Sequence, residues 1–140
     1  MGLLLSCAGR RPDDLGVHDG RLRPCPSSPN CVSSDAPQDD SHHVAPLVLA
    51  KPPEEAWPAV REAALDLPGA RPGSEQARYL HVECESRWLG FVDDLELHLR
   101  PEAGTVAVRS ASRLGHSDLG VNRRRVETLR TRLRERGVVR

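Results

Sequence analysis

The side chains in this chain that could do chemistry are crowded into two places. Asp93 and Asp94 are adjacent, and Arg109, Ser110, Ser112, Arg113, His116, Ser117, Asp118, Asn122 and Arg123 fill the stretch from 109 to 123. A hydrolase built from them would take Ser110, Ser112 or Ser117 as nucleophile, His116 as base and Asp93 or Asp118 to orient the imidazole. His116, Ser117 and Asp118 are consecutive, and neighbouring side chains diverge, so the triplet is not itself a relay. The sequence holds no G-x-S-x-G elbow, S-x-x-K or H-E-x-x-H. No catalytic residue is assigned, and a small hydrolase using His116 with a neighbouring Ser stands as the alternative function. The binding reading places a small anionic or polar ligand among Asp93, Asp94, Arg109, Ser112, Arg113, His116, Asp118, Asn122 and Arg123, with the arginines at a helix amino end. A third reading is structural: the two aspartates bond amides and arginines and pin the loop from Leu114 to Asp118.

Cys25 and Cys31 enclose PSSPN, a segment that turns tightly enough to bring two sulfurs to bridging distance. A disulfide is expected there; free thiols, or a metal shared with His42 and His43, are the alternatives. Adjacent imidazoles on an extended chain point to opposite sides, and Asp39-Asp40-Ser41-His42-His43 reads as a solvated loop, so neither a metal nor a cofactor is expected. Cys84 alternates with acids and reads as a small buried hydrophobe. Met1 to Cys7, MGLLLSC, resembles the lipobox of bacterial lipoproteins, in which the Cys carries the lipid. Leu5 is bulky for that pattern, and a charged leader and a full apolar stretch are missing before it. An N-myristoylation pattern on Gly2 and a frayed tail are the competing readings. Lipidation at Cys7 implies a membrane partner, a periplasm-facing place in the bacterial envelope and an oxidising surrounding for the disulfide. Without a signal upstream of Met1 the chain is cytoplasmic.

These side chains need a scaffold, and 140 residues suffice for one domain. Only 38% of residues are hydrophobic, with four aromatics, so the core must be thin and built from Val, Leu and Ala. Residues 1–7 read as a signal remnant, 8–43 as a Pro- and Gly-rich arm carrying the Cys25 to Cys31 loop, and 44–140 as the domain. Val44 to Ala50 suits a strand, with Pro46 placing it at an edge. Pro52-Pro53-Glu54-Glu55 opens a helix whose Trp57, Val60, Ala64 and Leu67 recur at helical spacing, and Pro68-Gly69 ends it. Leu80, Val82 and Cys84, then Phe91, Leu95, Leu97 and Leu99, then Val106 and Val108 alternate as three strands.

A four-residue turn at Pro101 to Gly104 pairs Arg100 with Thr105, Leu99 with Val106, Leu97 with Val108, Glu96 with Arg109 and Asp93 with Ser112. That register puts Glu96 and Arg109 on the solvent face and Asp93, Ser110 and Ser112 on the apolar one. Ser117, Asp118 or Asn122 caps a last helix with Val126, Leu129 and Leu133 in one stripe. The order β-α-β-β-β-α gives an α+β domain, an antiparallel sheet with helices on one face.

The formal charge is zero, but residues 121–140 hold eight Arg against two Glu. The balance excludes a nucleic-acid binder working by bulk charge. No apolar run reaches the length of a membrane span.

Three segments carry a resemblance. Leu15-Gly16-Val17 with Asp19-Gly20 and Cys25 to Ser34, then Gly90-Phe91-Val92-Asp93-Asp94, then Val108 to Arg125 resemble the family catalogued as domain of unknown function 1499. The likeness covers nearly the whole chain after Cys7. It implies no assigned activity, and it implies kinship with bacterial envelope lipoproteins. The element order is also similar to the helix-grip domains of a lipoprotein subunit of the outer-membrane β-barrel assembly machine, an analogy of fold only. Together the expectation is a lipid-anchored envelope protein whose small domain binds or scaffolds, with a polar ligand or another envelope protein as partner.

Overall fold

The computed structural model describes residues 9–87 and 89–140, so Cys7 lies outside the described residues. The arm forms a two-stranded hairpin, β1 (Val17–His18) with β2 (Arg21–Leu22), and then β3 (Cys31–Ser33). β4 (Leu47–Val48), α1 (Pro53–Leu65), β5 (Ala70–Gln76), β6 (Tyr79–Glu85), β7 (Val92–Arg100), β8 (Thr105–Ser112) and α2 (Val121–Glu135) follow. The main sheet runs β3-β8-β7-β6-β5 with antiparallel neighbours, and β4 pairs the start of β8 while β3 pairs its end. The domain is α+β, with two helices packed on one face of an antiparallel sheet.

The β7–β8 register is the one that the Pro101 to Gly104 turn dictates, from Arg100 opposite Thr105 to Asp93 opposite Ser112. Leu80, Val82, Leu95, Leu97, Val106 and Val108 point from the sheet toward Val60 and Ala64 of α1 and Val126, Leu129 and Leu133 of α2, all fully buried. Pro53 and two acids open α1 where unpaired amides favour them.

Four expectations change. The strand over Val44 to Ala50 shrinks to Leu47–Val48, next to Pro46, which has no amide proton to give to a ladder. β5 is an additional strand whose sequence, ARPGSEQ, has no apolar alternation because it is an edge with exposed residues along most of its length. Phe91 lies before β7, beyond Gly90 in a left-handed conformation (φ 69°), and is 42% exposed rather than core.

The fourth change is the largest. Glu96 and Arg109 do not face solvent: both are fully buried, because the arm lies across that face of the sheet. The Gly16 amide donates to Glu96 Oε2 at 2.7 Å, and Arg109 donates to the Arg23 and Pro24 carbonyls at 3.0 and 3.2 Å. Leu22 and Val17 pack on Tyr79 and Ala107. A disulfide joins Cys25 to Cys31, with Cα atoms 5.7 Å apart, and ties the arm's far end to β3. Among the described residues no helix is long and apolar enough to cross a membrane.

Candidate functional site

Asp93 opens a closed polar network on the helix side of the sheet. Its Oδ2 accepts from Arg125 Nη2 at 2.8 Å, and Arg125 Nη1 also donates to Asn122 Oδ1 at 2.8 Å and Ser110 Oγ at 3.1 Å. Asn122, fully buried, is the hub. Its oxygen accepts the Ser110 hydroxyl at 2.7 Å, and its amide donates to Ser112 Oγ, to Asp118 Oδ2 and to the Asn30 carbonyl. Asp118 accepts the backbone amides of Gly120 and Asn122 and so caps α2 from just outside it. Burial pushes the Asp118 carboxyl up, but the Asn122 and Gly120 bonds outweigh it and hold the group below its ordinary value.

The arm side carries two further clusters. Asp94 accepts His81 Nε2 at 2.7 Å and two Arg113 bonds at 2.8 and 2.9 Å, and Arg113 also grips Glu83, which Arg11 contacts as well. Burial raises the Asp94 carboxyl, yet the His81 and Arg113 bonds prevail and keep it low. His81 Nδ1 has no hydrogen-bond partner, and a Cβ added at Gly73 would stand 2.1 Å from it. Ligand atoms of His81, Glu83 and Asp94 lie within 4.8 Å of one another, a spacing a metal could use. Arg113 already sits on both carboxylates, and its fixed positive charge fills the role a cation would take there.

Beside this cluster, Tyr79 OH donates to Glu96 Oε2 at 2.6 Å, and Glu96 Oε1 faces Arg109 Nη1 at 3.6 Å. Burial, helped by the nearby Arg23 charge, lowers the Arg109 guanidinium to about 10 against the pull of Glu96. Burial and the Glu96 charge push the Tyr79 hydroxyl well above its ordinary value.

The nominated residues therefore fall into separate places. Asp93, Ser112, Asp118 and Asn122 come together around Arg125, which the sequence reading missed although it is three residues from Asn122 on the same side of α2. Asp94 and Arg113 form the arm-side cluster, and Arg109 is buried beneath the arm. Arg123 is exposed and donates to the Ser41 and His43 carbonyls. His116 is exposed and makes no hydrogen bond to Ser110, Ser112 or Ser117. The His42 and His43 rings are each bonded to a backbone carbonyl, of Cys31 and Ala36.

At the open end of the sheet, where the β6–β7 turn meets the β8–α2 loop, the Asp93 network forms the floor of a groove of about 340 Å³. Its walls are Leu89 and Phe91 on one side and Leu114, Leu119 and Val121 on the other. These are five of the six exposed large apolar side chains among the described residues, so the groove concentrates the apolar surface left to solvent. Leu119 is 83% exposed and held in the left-handed region (φ 54°), a conformation that costs a branched side chain energy and marks a constrained loop. A larger cleft of about 600 Å³ lies along the arm, where Asp14 is paired with Arg23 and Asp35 with Arg100.

Fold and site together define a small α+β domain with a sealed polar interior and an apolar groove at one end. The chain belongs to the family described as protein of unknown function (DUF1499), whose model matches residues 21–133, a span that holds the groove and the disulfide. No curated protein and no solved structure matches the chain.

Proposed function

We propose that this is a non-catalytic binding domain of a lipid-anchored envelope protein, and that its binding surface is the groove between the Leu89 to Phe91 turn and the Leu114 to Val121 loop. The observation that carries the reading is the convergence of five exposed apolar side chains on one groove whose floor is already hydrogen-bonded. Such a surface takes an apolar chain or side chain. A small anion in the groove fits less well, because Arg109 and Arg113 are engaged elsewhere and the α2 amides are capped by Asp118. The Cys25–Cys31 disulfide suits an oxidising compartment, and the lipobox-like MGLLLSC supports an anchor at Cys7. Hydrolysis needs His116 beside a serine, and it has none within bonding reach in this arrangement.

The test is fluorescence of a neutral apolar dye, N-phenyl-1-naphthylamine. The native protein should enhance it, and Phe91→Asp with Leu114→Asp should weaken dye binding about tenfold with circular dichroism unchanged. Dye binding that is indifferent to both substitutions removes the groove as the site. A hydrolytic turnover abolished by His116→Ala in a folded protein replaces binding with catalysis.

A further inference from the structure

We infer that the groove end is a lipid-facing surface: Leu89, Phe91, Leu114 and Leu119 enter the interface of an anionic bilayer while Arg123 and Arg124 meet its headgroups. The inference rests on the groove being the domain's binding surface and names the occupant.

Three observations point to a bilayer. The first is shape. Leu119 at 83% and Leu89 at 63% exposure stand on two separate loops on opposite walls of the groove, so a small molecule seated between them covers only their inward sides. A continuous apolar medium covers all of them at once.

The second is where the chain enters. Gly9 lies against Arg113 and Leu114: a Cβ added to it would stand 2.9 to 3.3 Å from their side-chain atoms. Cys7 is two residues earlier in the sequence. An anchor at Cys7 and the apolar tips therefore address the same surface. Tethering raises the local concentration of that surface at the membrane, so a modest apolar patch is enough to orient the domain.

The third is charge. The first turn of α2 holds no acid, and Arg123 and Arg124 are exposed there and bonded only to backbone carbonyls, those of Ser41, His43 and Leu119. Their positive charges face the positive end of the helix dipole without a carboxylate in contact. The acids on the groove floor do not serve them: Asp93 is held by Arg125, and Asp118 is spent on the cap. Anionic headgroups supply the missing counter-charge.

The experiment is co-sedimentation of the full 140-residue chain, carrying Cys7→Ser so that no lipid is attached, with vesicles of phosphatidylglycerol mixed with phosphatidylcholine. Binding is expected, weaker to phosphatidylcholine alone and in high salt. It should fall about tenfold in Leu89→Asp with Leu119→Asp, and severalfold in Arg124→Gln. Should the double variant misfold, Leu119→Asn serves, since Asn accepts the left-handed backbone.

Equal binding by parent and variants overturns the inference, because the MGLLLSC run would then carry the attachment. So does a parent that binds the neutral dye but not vesicles, an outcome that leaves the groove reading standing. If neither dye nor vesicle binds, both readings fall. Self-association that Leu119→Asp abolishes, without vesicle binding, makes the occupant a second copy and again overturns the lipid assignment.

Discussion

The arm-covered face of the sheet and its groove end are opposites in chemistry and in closure. Under the arm lie Tyr79, His81, Asp94, Glu96 and Arg109, groups that in isolation look catalytic, and nearly every one is buried and bonded to another or to the arm's backbone. At the groove end the side chains are plain Leu, Phe and Val, and they are the ones left without a partner. The titratable groups under the arm tie the arm to the sheet, and the apolar residues at the groove end make the surface proposed above for binding.

The sharpest way to break this contrast is at Arg109. Arg109→Ala leaves the Glu96 carboxylate buried beside a void and strips donors from the Arg23 and Pro24 carbonyls, so urea denaturation should show a loss of about 3–5 kcal/mol. A loss below about 1 kcal/mol would mean that the arm does not seal that face. The two neighbouring aspartates sharpen the comparison. Asp94→Ala strands both His81 and Arg113 and should cost about 2–4 kcal/mol, whereas Asp93→Ala releases one Arg125 bond beside the groove and should cost about 1–2 kcal/mol. Melting midpoints in the reverse order would show that the helix-side network bears more of the stability. The smallest effect belongs to the groove: Leu119→Asn should leave stability within about 0.5 kcal/mol, since the side chain is exposed and Asn tolerates positive φ. A clear drop in that variant would reveal packing that the loop does not display.

The ordering of Asp94 above Asp93 reverses what strand parity alone implies, and the reason shows what the sequence could and could not convey. A short turn with strong alternation on both sides fixes a register, and Asp93 opposite Ser112 followed directly from Pro101 to Gly104. Parity then sorts side chains to two faces, but it does not say what covers each face. The cover here is a Pro- and Gly-rich segment without periodicity, whose bonds to the sheet run through backbone amides and carbonyls that leave no residue-type signature. β5 was hidden for a related reason: an edge strand that buries little needs no apolar alternation. Arg125 was overlooked because three consecutive arginines look alike in sequence, and only the helical phase from Asn122 separates the one that turns inward. The groove had a signal, apolar residues set beside glycines at Leu89-Gly90, Leu114-Gly115 and Leu119-Gly120, where a loop ordinarily carries polar side chains.

The arm's attachment also fixes an order of assembly. Gly16 meets Glu96 across 80 residues of chain, and Arg109 reaches Arg23 across 86. The arm thus has nowhere to settle until β8, which follows it by more than 80 residues, has been made and paired. Cys25 and Cys31, six residues apart, are the exception and can close their loop at once. A nascent or truncated chain that stops before Arg109 leaves the acids of β7 uncovered and the arm loose, which makes it a target for proteolysis until the last strand arrives.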